Sequence, residues 1–179
     1  MCGVVGGVSE RNVVNVILEG LSRLEYRGYD SVGIAVVDRS GELARERVTG
    51  RVKMLAEQCS EDKFKGLIGI GHTRWATHGG VTETNAHPHF SNGTLAVVHN
   101  GIIENYAELR TELQAQGYHF ESQTDTEVIV HLVHSIYQHN HDLLGAVKAA
   151  IPQLHGAYAI GVISKNNPNE VICARLGSP

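Results

Sequence analysis

The second residue is a cysteine, followed by glycine and an apolar run: Met1-Cys2-Gly3-Val4-Val5-Gly6-Gly7-Val8. Cysteine is small enough at this position for an aminopeptidase to trim the initiator methionine. Cys2 would then carry a free α-amino group. Such an amine has a pKa of about 7.7–8.0, and a thiol about 8.5. The amine is therefore partly neutral near pH 7 and can take the proton from its own thiol. A nucleophile activated this way needs no separate histidine. A strand starting at Gly3 would hold the terminus against the core and fix the thiol in place.

Three other segments carry groups suited to a nucleophile's work. His99-Asn100-Gly101 follows the apolar run Thr94–His99. An Asn amide beside a Gly backbone N–H supplies two donors for a developing oxyanion, although Asn-Gly is also a common tight hairpin turn. Gly71-His72-Thr73-Arg74-Trp75-Ala76-Thr77-His78-Gly79-Gly80 follows another apolar run. There Arg74 could grip a carboxylate through two parallel hydrogen bonds. The Thr77 hydroxyl could add to that grip, and Trp75 could close a glycine-hinged lid over a bound substrate. Thr124-Asp125-Thr126-Glu127 begins a helical pattern. Asp125 suits either a helix cap or a partner for an α-ammonium group. With Arg74 it would recognise the zwitterionic end of an amino acid.

His72, His78, His87, His89 and His99 fall close together and invite a metal reading. Their spacing matches neither His-Glu-x-x-His nor a closed zinc site, so surface and core histidines are expected and no metal. Gly69-Ile70-Gly71 continues into His-Thr-Arg, without the third glycine of a phosphate loop.

The elements that must position these groups alternate in kind. Short Val- and Ile-rich runs predict strands over Gly3–Val8, Gly33–Asp38, Leu67–His72, Thr94–His99, Tyr158–Ile163 and Val171–Ala174. Helical spacing joins Val13, Ile17, Leu21 and Leu24, then Ile103, Tyr106, Leu109 and Leu113, which Gly117 closes. A third stripe runs through Val128, Leu132, Ser135 and Ile136, and a fourth through Leu143, Val147 and Ile151, stopping before Pro152. This order is not the strict alternation of a doubly wound parallel sheet. Two stacked sheets with helices outside them use it better.

Composition narrows the class. The 179 residues suffice for one sizeable core, and 42% hydrophobic with 19% charged residues is ordinary for a globular domain. A net charge of −4 gives no footprint for nucleic acid or an anionic membrane. No apolar run is long enough to span a bilayer. The N-terminus lacks a secretion-signal pattern. Three widely spaced cysteines argue against a disulfide framework and for a reducing cytoplasm. The loop-like ending Arg175–Pro179 reads as a boundary between domains, leaving residues 1–179 as a single domain.

Several of these segments together carry a resemblance. Cys2–Gly6, Arg23–Ser31, His72–Gly79, Asn85–His89, His99–Asn105 and Thr124–Val128 resemble, in order and spacing, the glutaminase domains of the glucosamine-6-phosphate synthases, which are class II glutamine amidotransferases. The similarity runs from the first residue to the last. It implies an α+β, N-terminal-nucleophile hydrolase fold: a four-layer αββα sandwich with two antiparallel sheets. It implies L-glutamine as substrate, no cofactor, and attack by Cys2 through a γ-glutamyl thioester. Asn100 and Gly101 would form the oxyanion hole, and Arg27 and Gly28 would support the nucleophile. Arg74, Thr77 and His78 would hold the α-carboxylate, Asp125 the α-ammonium, and Trp75 would lie on the closing loop. In the family, ammonia passes to a C-terminal sugar-phosphate isomerase region, which makes glucosamine 6-phosphate from fructose 6-phosphate. Dimer contacts come largely from that region, so the domain alone is expected to be a monomer. Val32 and Gly80 depart from the family's usual alanine and charged residue, away from the reacting groups.

Overall fold

The computed structural model describes residues 2–60, 64–76 and 79–178; Met1, Thr77 and His78 lie outside them. Strand β1 (Gly3–Val8) leads to helix α1 (Val14–Leu24) and a 3-10 turn (Glu25–Arg27). Strands β2 (Ser31–Val37) and β3 (Leu43–Thr49), helix α2 (Val52–Gln58) and strand β4 (Ile68–Arg74) follow. After a 3-10 turn (Glu83–Asn85) come strands β5 (His89–Ser91) and β6 (Leu95–Ile103). Helices α3 (Tyr106–Ala115), α4 (Thr126–Tyr137) and α5 (Leu143–Ala150) precede strands β7 (Gly156–Ser164) and β8 (Ile172–Leu176).

The strands form two four-stranded sheets, ordered β1-β4-β2-β3 and β5-β6-β7-β8. Every neighbouring pair is antiparallel. Three apolar layers separate four layers of structure. Val32, Ile34 and Val36 of β2 pack with α1 and α2 outside the first sheet. Leu95 and Val97 of β6 pack with α3, α4 and α5 outside the second. Ala35, Val37, Ile68, Ile70, Ala96, Val98 and Ile163 fill the space between the sheets. The α+β sandwich expected from the resemblance is the fold observed.

The two-residue period of a strand explains where the chemistry collects. Ile68 and Ile70 of β4 face the opposing sheet, so His72 and Arg74 face the same way. Ala96 and Val98 of β6 do likewise, and Asn100 continues that row. Val4 of β1 also packs into this layer, and Cys2 precedes it by two. The layer between the sheets is thus apolar at one end and polar at the other. On the outer face of β4, a Cβ on Gly69 or Gly71 would come within 2.7 Å of Ile17, so both glycines let α1 lie close to the sheet.

Three elements went unpredicted. Strand β3 is an edge strand whose Leu-Ala-Arg-Glu-Arg-Val-Thr sequence has no clean apolar alternation. Helix α2 and strand β5 are too short to develop a period. One prediction needs correcting. The strand expected to end at His99 continues through Asn100 and Gly101 to Ile103, because β7 pairs with it as far as Gly156. Ile103 is accordingly a buried strand residue, not the first member of the α3 stripe. Beyond α5, the chain turns through a 3-10 segment, Ile151–Gln153, with Pro152 inside it.

Candidate active site

Cys2 sits at the polar end of the inter-sheet layer. Pairing of Gly3 with Thr73 brings it beside the end of β4. Gly3 must be glycine there, since a Cβ would lie 2.7 Å from Leu24 and 2.8 Å from the Thr73 hydroxyl. The Cys2 Sγ accepts a hydrogen bond from the Trp75 N–H at 3.2 Å and faces the Trp75 carbonyl at 3.7 Å. Burial pushes the thiol's pKa up; the Trp75 backbone bond and the Arg74 guanidinium pull it partly back, and the Asp30 carboxylate adds to the rise. A thiol raised in this way is protonated at neutral pH, so attack requires a base to take its proton.

A small cleft opens over the thiol. Cys2, Arg74, Trp75 and Asp125 line it, together with His72, His87, His99, Thr124 and Thr126. A second surface hollow, between Asn12, Asp38–Ser40 and Lys65–Leu67, is lined by no cysteine. Its Asp38 carboxylate is engaged by the Ser40 and Glu42 backbone.

Arg74 is buried at the end of β4, and its Nη1 donates to the Gly80 carbonyl at 3.1 Å. Gly80 is held in turn by the Asn85 and Gln123 side chains. Asp125 stands at the N-terminus of α4, but its carboxylate does not cap that helix. It turns to the second sheet and accepts the Ile103 N–H at 2.8 Å through one oxygen. That bond exists because β6 runs on to Ile103, and it aims the carboxylate at the cleft. Trp75 is 46% exposed and meets Tyr29 edge-on at 5.2 Å. It is a surface aromatic at the rim of the site.

Asn100 donates through Nδ2 to the Cys2 carbonyl at 3.1 Å, and its Oδ1 lies 2.9 Å from His72 Nε2. Gly101 follows in the same strand with φ +125°, and a Cβ there would collide with the Ala157 carbonyl at 1.9 Å. Only glycine fits. Gly28 is similarly constrained, since a Cβ would press on the Arg74 backbone at 2.9 Å. Arg27 ends the 3-10 turn just before it and is partly buried. Of Arg27, Gly28, Asn100 and Gly101, Asn100 bonds to Cys2 directly, and none of the four lines the cleft.

Several contributing residues lay within the segments the sequence singled out but were given no role in the site there. Asp30 accepts the Ala76 N–H and so anchors the start of the loop. Glu127, buried in α4, accepts from the backbones of Glu121 and Ser122 and from the Ser122 hydroxyl. It thereby shapes the segment carrying Thr124 and Asp125. The histidines are packed inside: His72 stacks on His87 at 4.0 Å, and His87 meets His89 edge-on at 4.9 Å. Burial pushes His72 and His89 down to about 3 and His87 well below its usual value, so all three are neutral at pH 7. Among the described residues no three His, Cys, Asp or Glu side chains converge as metal ligands.

The model of the glutamine amidotransferase domain family matches residues 72–176, more than half of the chain. The chain belongs to this family. The amidotransferase domain is 57% identical over all 179 residues to glutamine–fructose-6-phosphate aminotransferase [isomerizing] of Pseudomonas putida, and 58% identical to that of Idiomarina loihiensis. It spans 29% of the length of each. Among solved structures it resembles glutamine phosphoribosylpyrophosphate amidotransferase from B. subtilis, with TM-score 0.77 and 29% identity over 92% of this chain and 35% of that one. The allosteric regulatory enzyme of purine biosynthesis superposes with TM-score 0.81 and 30% identity over 98% of this chain and 37% of the other. The amidotransferase domain shares their N-terminal-nucleophile hydrolase fold. None of its helices is long and apolar enough to cross a membrane, among the described residues.

Proposed function

We propose that this domain hydrolyses L-glutamine to L-glutamate and ammonia with Cys2 as nucleophile. The observation that carries the reading is the convergence of Cys2, Arg74 and Asp125 on one cleft, with Asn100 bonded to the nucleophile's own carbonyl. Arg74, Thr77 and His78 receive the α-carboxylate of glutamine, and Asp125 receives the α-ammonium. Trp75 closes the rim. Once Met1 is removed, the Cys2 amine takes the thiol proton and sulfur attacks the side-chain amide carbon. The raised thiol pKa supports this coupling of deprotonation to attack.

An Asn amide carries two N–H donors. One serves the Cys2 carbonyl; the other, with the Gly101 N–H, holds the oxyanion. Arg27 and Gly28 hold the chain that supports this end of the site. The proton from the amine passes to the leaving nitrogen, ammonia departs, and a γ-glutamyl thioester remains. Water then releases glutamate and regenerates the thiol. This chemistry needs no cofactor. In the longer protein the ammonia is delivered to a C-terminal isomerase domain, which converts fructose 6-phosphate to glucosamine 6-phosphate. That assignment rests on 57% identity to an aminotransferase of this kind, against 29% to glutamine phosphoribosylpyrophosphate amidotransferase. The domain itself is a cytoplasmic monomer in this reading.

The test is release of glutamate and ammonia from L-glutamine, with the intact mass of the same sample confirming loss of Met1. Cys2→Ala should abolish release, leaving less than about a thousandth of the rate. A trimmed, folded chain that releases no glutamate overturns the reading.

A further inference from the structure

Asn100 is useful as an oxyanion donor only if its amide faces the right way. Rotation by half a turn would present Oδ1 instead of Nδ2 to the reacting carbonyl oxygen and repel the charge developing there. Nothing in the asparagine itself decides between the two. The choice is made by the neighbouring acceptors and donors.

We infer that His72 is a positioning residue that sets the Asn100 amide for oxyanion binding; the inference rests on the glutaminase reading above. The geometry supports it from both ends. His72 Nε2 lies 3.0 Å from the His99 carbonyl and 2.9 Å from Asn100 Oδ1. A carbonyl only accepts, so Nε2 must carry the imidazole proton. That proton can then be met by Asn100 only with its oxygen. At the other end, Nδ2 donates to the Cys2 carbonyl at 3.1 Å, and a carbonyl can only accept, so the amide must present its N–H there. The two contacts define one orientation of the amide.

The imidazole is itself held. It is buried, and the His87 ring stacks on it at 4.0 Å with the planes 20° apart. His87 is pinned by the His99 N–H, which donates to His87 Nδ1 at 3.3 Å. His72 Nδ1 has no hydrogen-bond partner, so a second proton there would be buried without an acceptor. Burial accordingly holds His72 neutral, against the pull of its bonds to Asn100 and His99. The same tautomer therefore persists across the neutral range. His72, His87, His99 and Asn100 lie on β4, β6 or the segment between Asn85 and His89, and Cys2 lies just before β1; none is on the loop beyond Arg74.

The experiment measures glutamine hydrolysis by the Met1-trimmed chain in a double-mutant cycle of His72→Leu and Asn100→Ala, with His72→Gln alongside. Glutamine's side-chain N–H can replace the Nε2 donor. His72→Leu should lower kcat about a hundredfold, the scale for loss of one oxyanion donor, with KM within about threefold. His72→Gln should recover to within about tenfold of the parent rate. In the Asn100→Ala background, His72→Leu should cost less than about twofold. An equal cost in both backgrounds, or an effect on KM alone, overturns the inference while leaving the glutaminase reading intact. An Asn100→Ala chain with undiminished kcat overturns both the inference and the oxyanion assignment beneath it. Nitrogen NMR of the unmutated chain decides independently of how the variants fold. A neutral imidazole protonated at Nε2 is expected for His72, and protonation at Nδ1 overturns the inference.

Discussion

In the proposed reading, Arg74 and Asp125 divide the work of glutamine recognition, and their positions explain how. Arg74 is the last residue of a buried strand, so its guanidinium enters the cleft from a rigid base, and one nitrogen is already engaged by the Gly80 carbonyl. Lysine has a single point charge and cannot make both the loop contact and a paired grip on a carboxylate. Arg74→Lys should therefore raise KM for glutamine at least about tenfold, as loss of a charge-assisted hydrogen bond predicts, and change kcat much less. Steady-state kinetics of glutamate release would check the split; an unchanged KM would remove Arg74 from the substrate's carboxylate. Asp125 differs, because its position at a helix start made capping the simple expectation. The carboxylate leaves its own helix for Ile103 N–H on a neighbouring strand, and only the assembled fold supplies that donor.

Among the elements, the start of α4 bears most on the site. Glu127 lies in the first turn of the helix and gathers the chain of Glu121 and Ser122 back onto it. Burial opposes its ionisation, but bonds from His131, Ser122 and the Glu121 and Ser122 backbone outweigh that and hold its pKa down to about 2. Glu127→Gln replaces one of two accepting oxygens with a donor that faces other donors. It should destabilise the domain by about 2 kcal/mol, read as a lower urea midpoint. KM for glutamine should rise too, since Asp125 hangs from the same turn. A variant with the parent's midpoint and KM would show the turn to be held by other contacts. The strands teach a related lesson. Asn100-Gly101 looked like a strand end because the apolar run stops at His99. The ladder to β7 carries the strand four residues further, and partner strands cannot be read from local spacing.

At the scale of the whole molecule, the two sheets are joined at one end by apolar packing and at the other by neutral, buried histidines. This makes the sandwich sensitive to acid. The unfolded chain binds protons at these histidines near pH 6.5, whereas His72 and His89 in the folded state do so only near 3. Between those values the unfolded state holds more protons, so stability falls as pH falls. Glu127 adds to the loss below about pH 4.5, where an unfolded carboxylate protonates first. The urea midpoint should be flat above about pH 7 and drop steeply toward pH 4; a midpoint level down to pH 4.5 would contradict the neutral histidine layer. From the sequence alone, the arrangement of two sheets with outer helices was legible, and so were the candidates Cys2, Arg74, Asp125 and the Asn100-Gly101 pair that carry the proposed function. They depend on residue type and local period, which covalent order carries. Which face each strand turns inward, how far β6 runs, where the Asp125 carboxylate points and which way the Asn100 amide is turned were decided by tertiary structure. Each depends on a donor, an acceptor or a packed surface supplied by a residue distant in sequence.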